Sequence, residues 1–263
     1  MLTIFFTGTG NTMQIADLFS AKMEISAYSI EDDIDFSEIL EEHDTIAVCY
    51  PIYGSRVPYI MREFIAAHMS YFYGKRLVIL VTQLIFSGDG ARALCDLFPP
   101  NHVEVVYAEH FNMPNNVCNV SIVPKTSPAA VNRKLRAAGR RMDKACWDIK
   151  LGKVKRRGFN PISRILGIFQ GFLWQGSSRR VEPAYWSVEY KARRGVRVDE
   201  DCTLCGFCVK FCPMKNLRII EDRVIHNNNC TVCYRCVNLC PVQAITVYFH
   251  KKPVWQYKGI DAN

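Results

Sequence analysis

Residues 202–213 read CTLCGFCVKFCP, and residues 230–241 read CTVCYRCVNLCP. Both stretches space four cysteines as C-x-x-C-x-x-C-x-x-x-C, and a proline follows the fourth cysteine each time. The second copy begins 28 residues after the first, so this end of the chain is an internal repeat. Eight of the twelve cysteines of the chain belong to the two copies, which points to a shared ligand-binding role.

This spacing is typical of cysteines that ligate 4Fe–4S clusters, and a tandem pair of runs predicts two clusters. Three cysteines at two-residue intervals can wrap one corner of an iron–sulfur cube, while the fourth leaves along a helical turn. Structural zinc is the alternative, but zinc sites use cysteine pairs rather than proline-terminated quartets. The predicted metal ligands are Cys202, Cys205, Cys208, Cys212, Cys230, Cys233, Cys236 and Cys240.

The two runs resemble those of bacterial two-cluster ferredoxins. That resemblance implies crossed ligation, in which the fourth cysteine of each run serves the other cluster. The first cluster would then be held by Cys202, Cys205, Cys208 and Cys240. The second would be held by Cys230, Cys233, Cys236 and Cys212.

The first 150 residues alternate short apolar runs with helical patterns. Strands are predicted at 2–6, 26–30, 45–50, 76–82 and 103–108, and helices at 11–23, 36–42, 57–71, 89–98 and 129–150. This order predicts a five-stranded parallel sheet with helices on both faces. In such a sheet a ligand lies beyond the carboxyl ends of the strands, so the loops after the strands are the candidate site.

The first predicted strand runs into Thr7-Gly8-Thr9-Gly10-Asn11-Thr12 and then into a helix. Hydroxyl and amide groups at a helix N-terminus favour a phosphate site. No lysine follows the glycines, and Met13 stands where a dinucleotide fingerprint has its third glycine. The loop therefore favours a phosphate monoester that neutral donors bind, with an ordinary glycine-rich turn as the alternative.

This loop resembles the flavodoxin phosphate loop, T/S-x-T-G-x-T, which holds the phosphate of FMN. The resemblance implies that the loops after the third and fourth strands grip the isoalloxazine ring. Tyr53 is the best stacking candidate, unless it is only a surface aromatic, and Phe86 is the one aromatic of the second loop. The predicted FMN-binding residues are Thr7, Gly8, Thr9, Gly10, Asn11, Thr12, Pro51, Ile52, Tyr53, Gly54, Gln83, Phe86, Ser87, Gly88 and Asp89.

Nearly the whole chain resembles flavodoxin–ferredoxin fusion proteins of anaerobes. The predicted fold is α/β, a flavodoxin-like doubly wound five-stranded parallel sheet, plus a small α+β two-cluster ferredoxin domain. The predicted divisions are an FMN-binding domain at 1–150, a basic insert at 151–198, a ferredoxin domain at 199–249 and a tail at 250–263. Residues 217–225, between the cysteine runs, predict a small hairpin.

The insert differs in composition from its neighbours. Residues 152–198 hold eleven Lys or Arg and two Glu, whereas the net charge of the whole chain is +8. Within them ISRILGIFQGFLW, residues 162–174, carries apolar side chains at helical spacing. We expect that face to pack on the protein's own domains or on a second subunit, with an anionic bilayer as the alternative. The basic residues favour a solvated face or a docking surface for an acidic redox partner.

The remaining cysteines, Cys49, Cys95, Cys118 and Cys146, show no pairing pattern, which favours a reducing compartment. No secretion signal and no run of about 18 apolar residues is present, so we expect a cytoplasmic protein without a transmembrane segment. The basic run at 153–157 lacks the interleaved aromatics of nucleic-acid binding, so no nucleic-acid partner is predicted. Redox partner proteins are expected, and a homodimer is left open.

Iron–sulfur clusters pass single electrons, and a flavin accepts one or two electrons. Their presence in one chain predicts electron transfer between them. The leading hypothesis is a soluble low-potential redox carrier. The alternative is a cluster-fed flavin reductase that acts on a quinone, a nitro compound, oxygen or free flavin. No acid/base pair is evident near the predicted flavin loops, so no catalytic residue is assigned, and whether the protein is an enzyme stays open.

Overall fold

The structure is a computed structural model that describes residues 1–120, 125–177 and 179–259. Its main sheet has six parallel strands in the order β2-β1-β3-β4-β5-β6. These strands are β1 (Leu2–Phe5), β2 (Ala27–Ser29), β3 (Thr45–Pro51), β4 (Arg76–Gln83), β5 (Glu104–Asn112) and β6 (Lys155–Arg156). The predicted flavodoxin-like, doubly wound sheet is confirmed, and its strand order reverses between β1 and β3.

The predicted count of five strands was wrong, because the basic insert supplies the sixth. Tyr107 and Ala108 of β5 pair with Lys155 and Arg156. The Nζ of Lys155 donates to the buried carboxylate of Glu109 at 2.7 Å. A two-residue charged strand has no β pattern to detect, and it forms here because Glu109 needs cations and β5 has an open edge.

Helices cover both faces of the sheet, since successive side chains of the strands point to opposite faces and are buried on both. The helices of this region are α1 (Asn11–Met23), α2 (Phe36–Glu41), α3 (Tyr59–Ala67) and α4 (Pro128–Lys150). One face packs Ile4 and Ile79 with residues of α2 and α3, and the other packs Phe5 and Leu80 with residues of α1 and α4. Both faces of the sheet are therefore buried, as in other parallel sheets.

Two predicted helices differ in the structure. The segment predicted as a helix at 57–71 is α3, with Pro58 at its N-cap, followed by a 3-10 helix at Met69–Phe72. The segment predicted at 89–98 is a 3-10 helix at Arg92–Leu97. The proline sets the later start of α3, since its missing amide is tolerated at a helix end.

The C-terminal part is small and built around the cysteine runs. It contains β7 (Arg197–Val198), α7 (Phe207–Lys210), β8 (Leu217–Ile220), β9 (Arg223–His226), α8 (Arg235–Leu239) and β10 (Ile245–Thr246). Strands β8 and β9 form the predicted hairpin, and β7 pairs antiparallel with β10. The last four residues of the predicted tail, 260–263, lie outside the described residues.

The insert also forms α5 (Pro161–Trp174) and α6 (Val188–Arg194). The expectation that the apolar face of residues 162–174 packs on the protein was wrong. Phe169 is 70% exposed and Phe172 is 53% exposed, whereas Gly167 and Gly171 are buried. The helix approaches the sheet domain on its glycine side, because only a glycine pair lets the backbone come so close. No helix in the described ranges is long and apolar enough to cross a membrane.

Polar contacts of the insert join the two ends of the chain. In α6, Arg193 donates to Glu182 at 2.8 Å and to Asn229, beside the second cysteine run, at 2.7 Å. Its guanidinium also lies 3.4 Å from the centre of the Tyr59 ring, at the start of α3. The bracing that we expected from apolar side chains is made by charged and polar groups instead.

Candidate functional site

A cavity of about 600 Å³ opens beyond the carboxyl ends of β1, β3 and β4, next to the reversal in strand order. Its volume is in the range of sites that bind a cofactor. The predicted residues that line it are Thr7, Gly8, Thr9, Asn11, Thr12, Pro51, Ile52, Tyr53, Gly54, Gln83, Phe86 and Ser87. Gly10, Gly88 and Asp89 are not among the lining residues.

The loop after β1 is arranged to leave donors free. Gly10 adopts φ 92°, a left-handed conformation that favours glycine, and its amide donates to the Thr7 hydroxyl at 3.0 Å. No side chain caps the first turn of α1, so its amides are left for a ligand or for water. The described lining contains no charged side chain, so an anion there would be held by neutral donors and the helix dipole.

The threonines of this loop have different surroundings. Thr12 is buried, and its hydroxyl lies 2.8 Å from the Thr82 hydroxyl at the end of β4. Thr9 is half-buried and accepts from the Asn116 side chain at 3.1 Å. The Thr12 hydroxyl thus anchors the loop to the sheet, while that of Thr9 lies at the cavity.

Two residues that line the cavity each have a buried polar atom with no hydrogen-bond partner among the described residues: the Tyr53 hydroxyl and the Trp174 indole Nε1. Burial raises the pKa of Tyr53 well above its ordinary value, so the phenol stays a donor. Gly54 lets the loop after β3 approach Trp174 of α5 closely, because a Cβ at Gly54 would lie 2.3 Å from that side chain. Both residues line the cavity with other atoms, and the Tyr53 hydroxyl lies beside Gly8, whose Cβ would be 3.1 Å from it.

The loop after β4 is held by a buried network. The Ser87 hydroxyl donates to the Gln83 side chain at 2.5 Å, and the His110 Nδ1 lies 3.1 Å from the same oxygen. Burial, followed by the charge of Arg157, lowers the pKa of His110 to about 4, so the ring is neutral near pH 7. Gln83 therefore shapes the loop with its side chain, while Phe86 stands exposed at the cavity rim.

The predicted residues Gly88 and Asp89 face α5 instead of the cavity. A Cβ on Gly88 would lie 2.6 Å from the Gly167 backbone. The Asp89 carboxylate is buried 3.8 Å from the Arg56 guanidinium. These residues seat the insert helix, which in turn places Trp174 over the cavity.

Several lining residues lay outside the predicted set. They are Ser55, Thr82, Leu84, Ile85, Met113, Pro114, Asn115, Asn116, Val117, Val120, Gln170, Trp174 and Phe249. Asn115 and Asn116 follow β5, and a polar loop after a fifth parallel strand is a signal that could have pointed to them. Trp174 and Phe249 come from the insert and from beyond the second cysteine run, where no local signal exists.

Two smaller cavities separate the eight cysteines into groups of four. One is lined by Cys202, Cys205, Cys208 and Cys240. The other is lined by Cys230, Cys233, Cys236 and Cys212. Each group joins three cysteines of one run to the fourth of the other run, the grouping that crossed ligation requires.

The backbone around the two cavities repeats with the sequence. Left-handed φ angles occur at Leu204 and Val232, and again at Lys215 and Gln243, each pair 28 residues apart. Such conformations are costly for non-glycine residues and mark imposed geometry. Here they turn each run around its cavity.

Hydrogen bonds and burial act on several of the cysteine sulfurs. Backbone amides donate to three of them: that of Asn216 to Cys212, of Val232 to Cys230 and of Ala244 to Cys240, at 3.2–3.3 Å. Burial raises the pKa of Cys208 and of Cys233 to about 11. Such thiols become thiolates when metal displaces their protons, and four sulfurs around a small enclosed cavity fit an iron–sulfur cube.

The linings of the second cysteine cavity and of the large cavity are in contact. A Cβ on Gly8, in the loop after β1, would lie 2.7 Å from the carbonyl oxygen of Cys233. The Arg235 guanidinium donates to the carbonyls of Thr7 at 2.7 Å and Gly8 at 3.1 Å, and it also pairs with Glu31. Cys233 even belongs to the apolar core of the sheet domain.

The chain also returns to the loop after β1 from its far end. The Tyr257 hydroxyl donates to the Asn11 side chain at 2.7 Å, and the Tyr257 amide donates to Asn238 of α8. Asn11 itself donates to the carbonyl of Pro114. One side of the large cavity is therefore assembled from four separate parts of the chain.

Comparison with known protein families agrees with this arrangement. Residues 2–141 match the flavodoxin domain family, and residues 201–247 match the 4Fe-4S dicluster domain family. Because the first match spans more than half of the chain, the protein belongs to the flavodoxin domain family. The two domains together define a flavodoxin–ferredoxin fusion, an electron-transfer flavoprotein with iron–sulfur chemistry.

Solved structures with a similar fold include the Fusobacterium nucleatum flavodoxin bound to flavin mononucleotide. It is 14% identical over 59% of this chain and 98% of its own, with a TM-score of 0.39. The two-electron reduced flavodoxin of Megasphaera elsdenii is 18% identical over 52% of this chain and 98% of its own, with a TM-score of 0.36. No curated protein matches the chain.

Proposed function

We propose that the protein transfers electrons within one chain between two 4Fe–4S clusters and one FMN, and so acts as a low-potential redox carrier. When bound, the clusters exchange single electrons and the flavin exchanges one or two, which lets the chain join one-electron to two-electron chemistry. In this proposal Cys202, Cys205, Cys208 and Cys240 hold one cluster. Cys230, Cys233, Cys236 and Cys212 hold the other.

The contact between Gly8 and Cys233 carries the proposal. A ligand of the second cluster site packs against the loop proposed to bind the FMN phosphate, with no room for a side chain at Gly8. Electron transfer needs cofactors held close and fixed, and a backbone contact in a buried core provides both. Electrons would then pass between the site that contains Cys240, the site that contains Cys212 and the flavin cavity, in that spatial order.

Arg235 fixes that contact. Its guanidinium is bidentate with Glu31, at 2.7 and 2.8 Å, and also donates to two carbonyls of the phosphate loop. A planar guanidinium makes such a contact with several donors at once, which a lysine could not reproduce. We infer that Arg235 keeps the second cluster site and the flavin cavity in one orientation.

On the flavin side, the chain supplies neutral donors and an apolar cover. The loop after β1 offers amides and the Thr9 hydroxyl to a phosphate group. Tyr53 and Trp174 line the cavity and offer aromatic surface to the ring system, which suits a planar cofactor.

The test begins with an anaerobic preparation analysed for FMN, iron and sulfide. One FMN and about eight irons per chain are expected for one flavin and two clusters. Zinc in place of iron, or FAD in place of FMN, would refute the assignment. The rate of internal electron transfer is then measured after flash reduction of the flavin.

Replacing Arg235 with Gln should slow the internal electron-transfer rate while the FMN and both clusters stay bound. Arg223→Gln, on the exposed side of the β8–β9 hairpin, is the matched control and should leave the rate unchanged. Equal rates in the two variants would mean that the Arg235 contact does not set the path.

One observation favours the second candidate, a cluster-fed flavin reductase. A side cavity of about 210 Å³ adjoins the flavin cavity and is lined by apolar and aromatic residues, among them Tyr53, Trp174, Tyr234 and Tyr248. A small planar acceptor such as a quinone fits that chemistry. Saturable steady-state reduction of a quinone by the reduced protein would support the enzyme, and reduction only of partner proteins would support the carrier.

A further inference from the structure

The most unusual surface of the molecule is the outer side of α5. Seven large apolar side chains of this helix are exposed: Ile162, Ile165, Leu166, Ile168, Phe169, Phe172 and Leu173. We call these residues, together with Ile85, Phe86 and Trp186, the apolar surface. Soluble proteins seldom leave a contiguous patch of this kind to water, so it indicates an interaction site.

The orientation of α5 is fixed rather than incidental. A Cβ at Gly167 would lie 2.6 Å from the Asp89 amide nitrogen and closer still to its carboxylate. The Ser55 hydroxyl contacts the Gln170 side chain at 2.6 Å. Because the glycine side is locked onto the sheet domain, the apolar side must face outward.

The apolar surface extends beyond the helix. The rings of Phe172 and Trp186 lie 4.7 Å apart, so the segment before α6 continues it. At the other side Ile85 is 73% exposed, and it lines the large cavity together with Phe86 and Gln170. The apolar surface therefore reaches the rim of the proposed flavin cavity.

The unpaired charges that the insert places beside the apolar surface are positive. Arg164 lies on α5, and Arg179 and Arg180 follow it; all three are exposed and form no ion pair within the described residues. The two carboxylates of the insert are used elsewhere, since Glu182 pairs with Arg193 and Glu189 with Arg62. An apolar face with unpaired cations at its edges is typical of helices that lie in a membrane interface.

A second copy of the chain fits this surface poorly. In a symmetric dimer the same patch meets itself, so Arg164, Arg179 and Arg180 of one copy would approach the same cations of the other. An anionic surface turns the same charges into an attraction. The exposed Trp186 also suits the headgroup region, where an amphipathic ring is favoured.

We propose that the apolar surface docks the protein on an anionic lipid bilayer, with α5 lying in the plane of the interface. Docking in this orientation brings the rim of the large cavity to the headgroup region. The inference rests on α5 and its cations, and it holds whether or not the proposed electron transfer between the clusters and FMN is correct.

The experiment is vesicle flotation of the full chain, prepared anaerobically with its cofactors. Vesicles of phosphatidylcholine with phosphatidylglycerol are compared with vesicles of phosphatidylcholine alone. The wild type should float with the anionic vesicles and much less with the neutral ones. Replacing both Ile165 and Phe169 with Ser should weaken partitioning by about tenfold per side chain.

The charge arm replaces Arg179 and Arg180 with Glu, which should abolish the preference for phosphatidylglycerol. Val254→Ser is the matched control for the apolar pair, and Arg218→Glu with Arg223→Glu is the control for the cations, since all three residues are exposed outside the apolar surface. Iron and flavin content is measured in every variant to show that it has folded.

Failure of the wild type to float, or unchanged flotation of the Ile165 and Phe169 variant, would overturn the proposal. So would a lipid-free dimer that the same two substitutions dissociate, because the surface would then belong to a second copy. Equal binding to neutral and anionic vesicles would overturn the charge-based part.

Discussion

The Nη2 atom of Arg62 lies 3.0 Å from both carboxylate oxygens of Glu189, and both side chains are buried. The same guanidinium donates to the carbonyls of Val57 at 2.6 Å and Val181 at 2.8 Å. Burial lowers the pKa of Arg62, but its carboxylate partner keeps the group charged. The pair therefore ties α3 of the sheet domain to α6 of the insert.

Replacing Glu189 with Gln should leave the buried guanidinium without its counter-charge. We expect the free energy of unfolding to fall by about 3–5 kcal/mol, as is typical when one partner of a buried ion pair is removed. Anaerobic denaturant titration measures the change. Glu200→Gln, at an exposed position, is the control, and an equal effect in both variants would show that the pair contributes little.

Gly167→Ala should weaken the docking of α5, because the added methyl group collides with the Asp89 backbone. Overpacking of this kind costs about 1–3 kcal/mol. Gly139→Ala in α4 is the matched control: nothing lies within 4 Å of its Cβ position, so it should raise stability by roughly 0.5–1 kcal/mol. Limited proteolysis within α5 should accelerate only in the Gly167 variant, and equal cleavage of both would contradict the close approach.

Glu109 should make the edge strand β6 sensitive to acid. Burial alone would raise the pKa of Glu109, but Lys155, the His110 amide and Arg157 outweigh it and lower that pKa below its ordinary value. The stabilisation is then fully present above the unfolded-state pKa of about 4.3 and is lost as the pH falls through the folded-state pKa.

Glu109→Gln should therefore destabilise β6 near pH 7 by about 1.5–3 kcal/mol, the value of hydrogen bonds to a charged group. The readout is exchange of the Arg157 amide, which donates to the Ala108 carbonyl at 3.0 Å. Wild type and variant are compared at each pH, and their difference should shrink below about pH 4. A difference that stays constant into acid would exclude the carboxylate as its source.

Tyr53→Phe should change flavin chemistry more than flavin content. The hydroxyl is buried and has no hydrogen-bond partner among the described residues, so its removal should cost the apoprotein little, and a flavin that accepts from it would lose one donor. A lost hydrogen bond of about 0.5–1.5 kcal/mol shifts a two-electron midpoint potential by roughly 10–30 mV, to more negative values if the donor stabilises reduced flavin. Tyr73→Phe, far from the cavity in a half-exposed position, serves as the control in the same redox titration.

Cys212→Ala and Cys240→Ala should damage different clusters, because each cysteine lines the cavity of the other run. The Cys212 variant should lose the signal of the site formed by Cys230, Cys233 and Cys236, which adjoins the flavin cavity. Electron paramagnetic resonance separates the two clusters, and flavin reduction through the clusters should fail in this variant. Loss of the cluster of its own run in each case would disprove crossed ligation.

Much of this arrangement could be predicted because it depends on local sequence. The bounds of α1, Asn11–Met23, coincide with the predicted helix, since Gly10 and the apolar spacing after it mark them. The grouping of the cysteines was implied by the resemblance of the repeated runs to those of two-cluster ferredoxins. The loops after β1, β3 and β4 converge because parallel strands place their carboxyl ends on one side of a sheet.

What could not be predicted depends on distant contacts. Periodicity identified the apolar stripe of α5 but not its direction, because Gly167 and Gly171 mark the docking side only once Asp89 and Arg56 are seen against them. Trp174 reaches the cavity from a segment that has no motif of its own. Strand β6 is two charged residues long, and the carboxylate that recruits it is 46 positions earlier in the chain.

Because β6 pairs with the sheet and Tyr257 contacts the loop after β1, the N-terminal and C-terminal halves each contain contacts that the other half needs. A cut after α4 would remove the edge strand of the sheet along with the partners of Glu109. It would also release Arg235 from the loop after β1 and Tyr257 from Asn11. The sheet domain is therefore not an independent flavodoxin to which a second domain is merely attached. Exchanging either half for a homologous one would require exchanging the insert and the last residues as well.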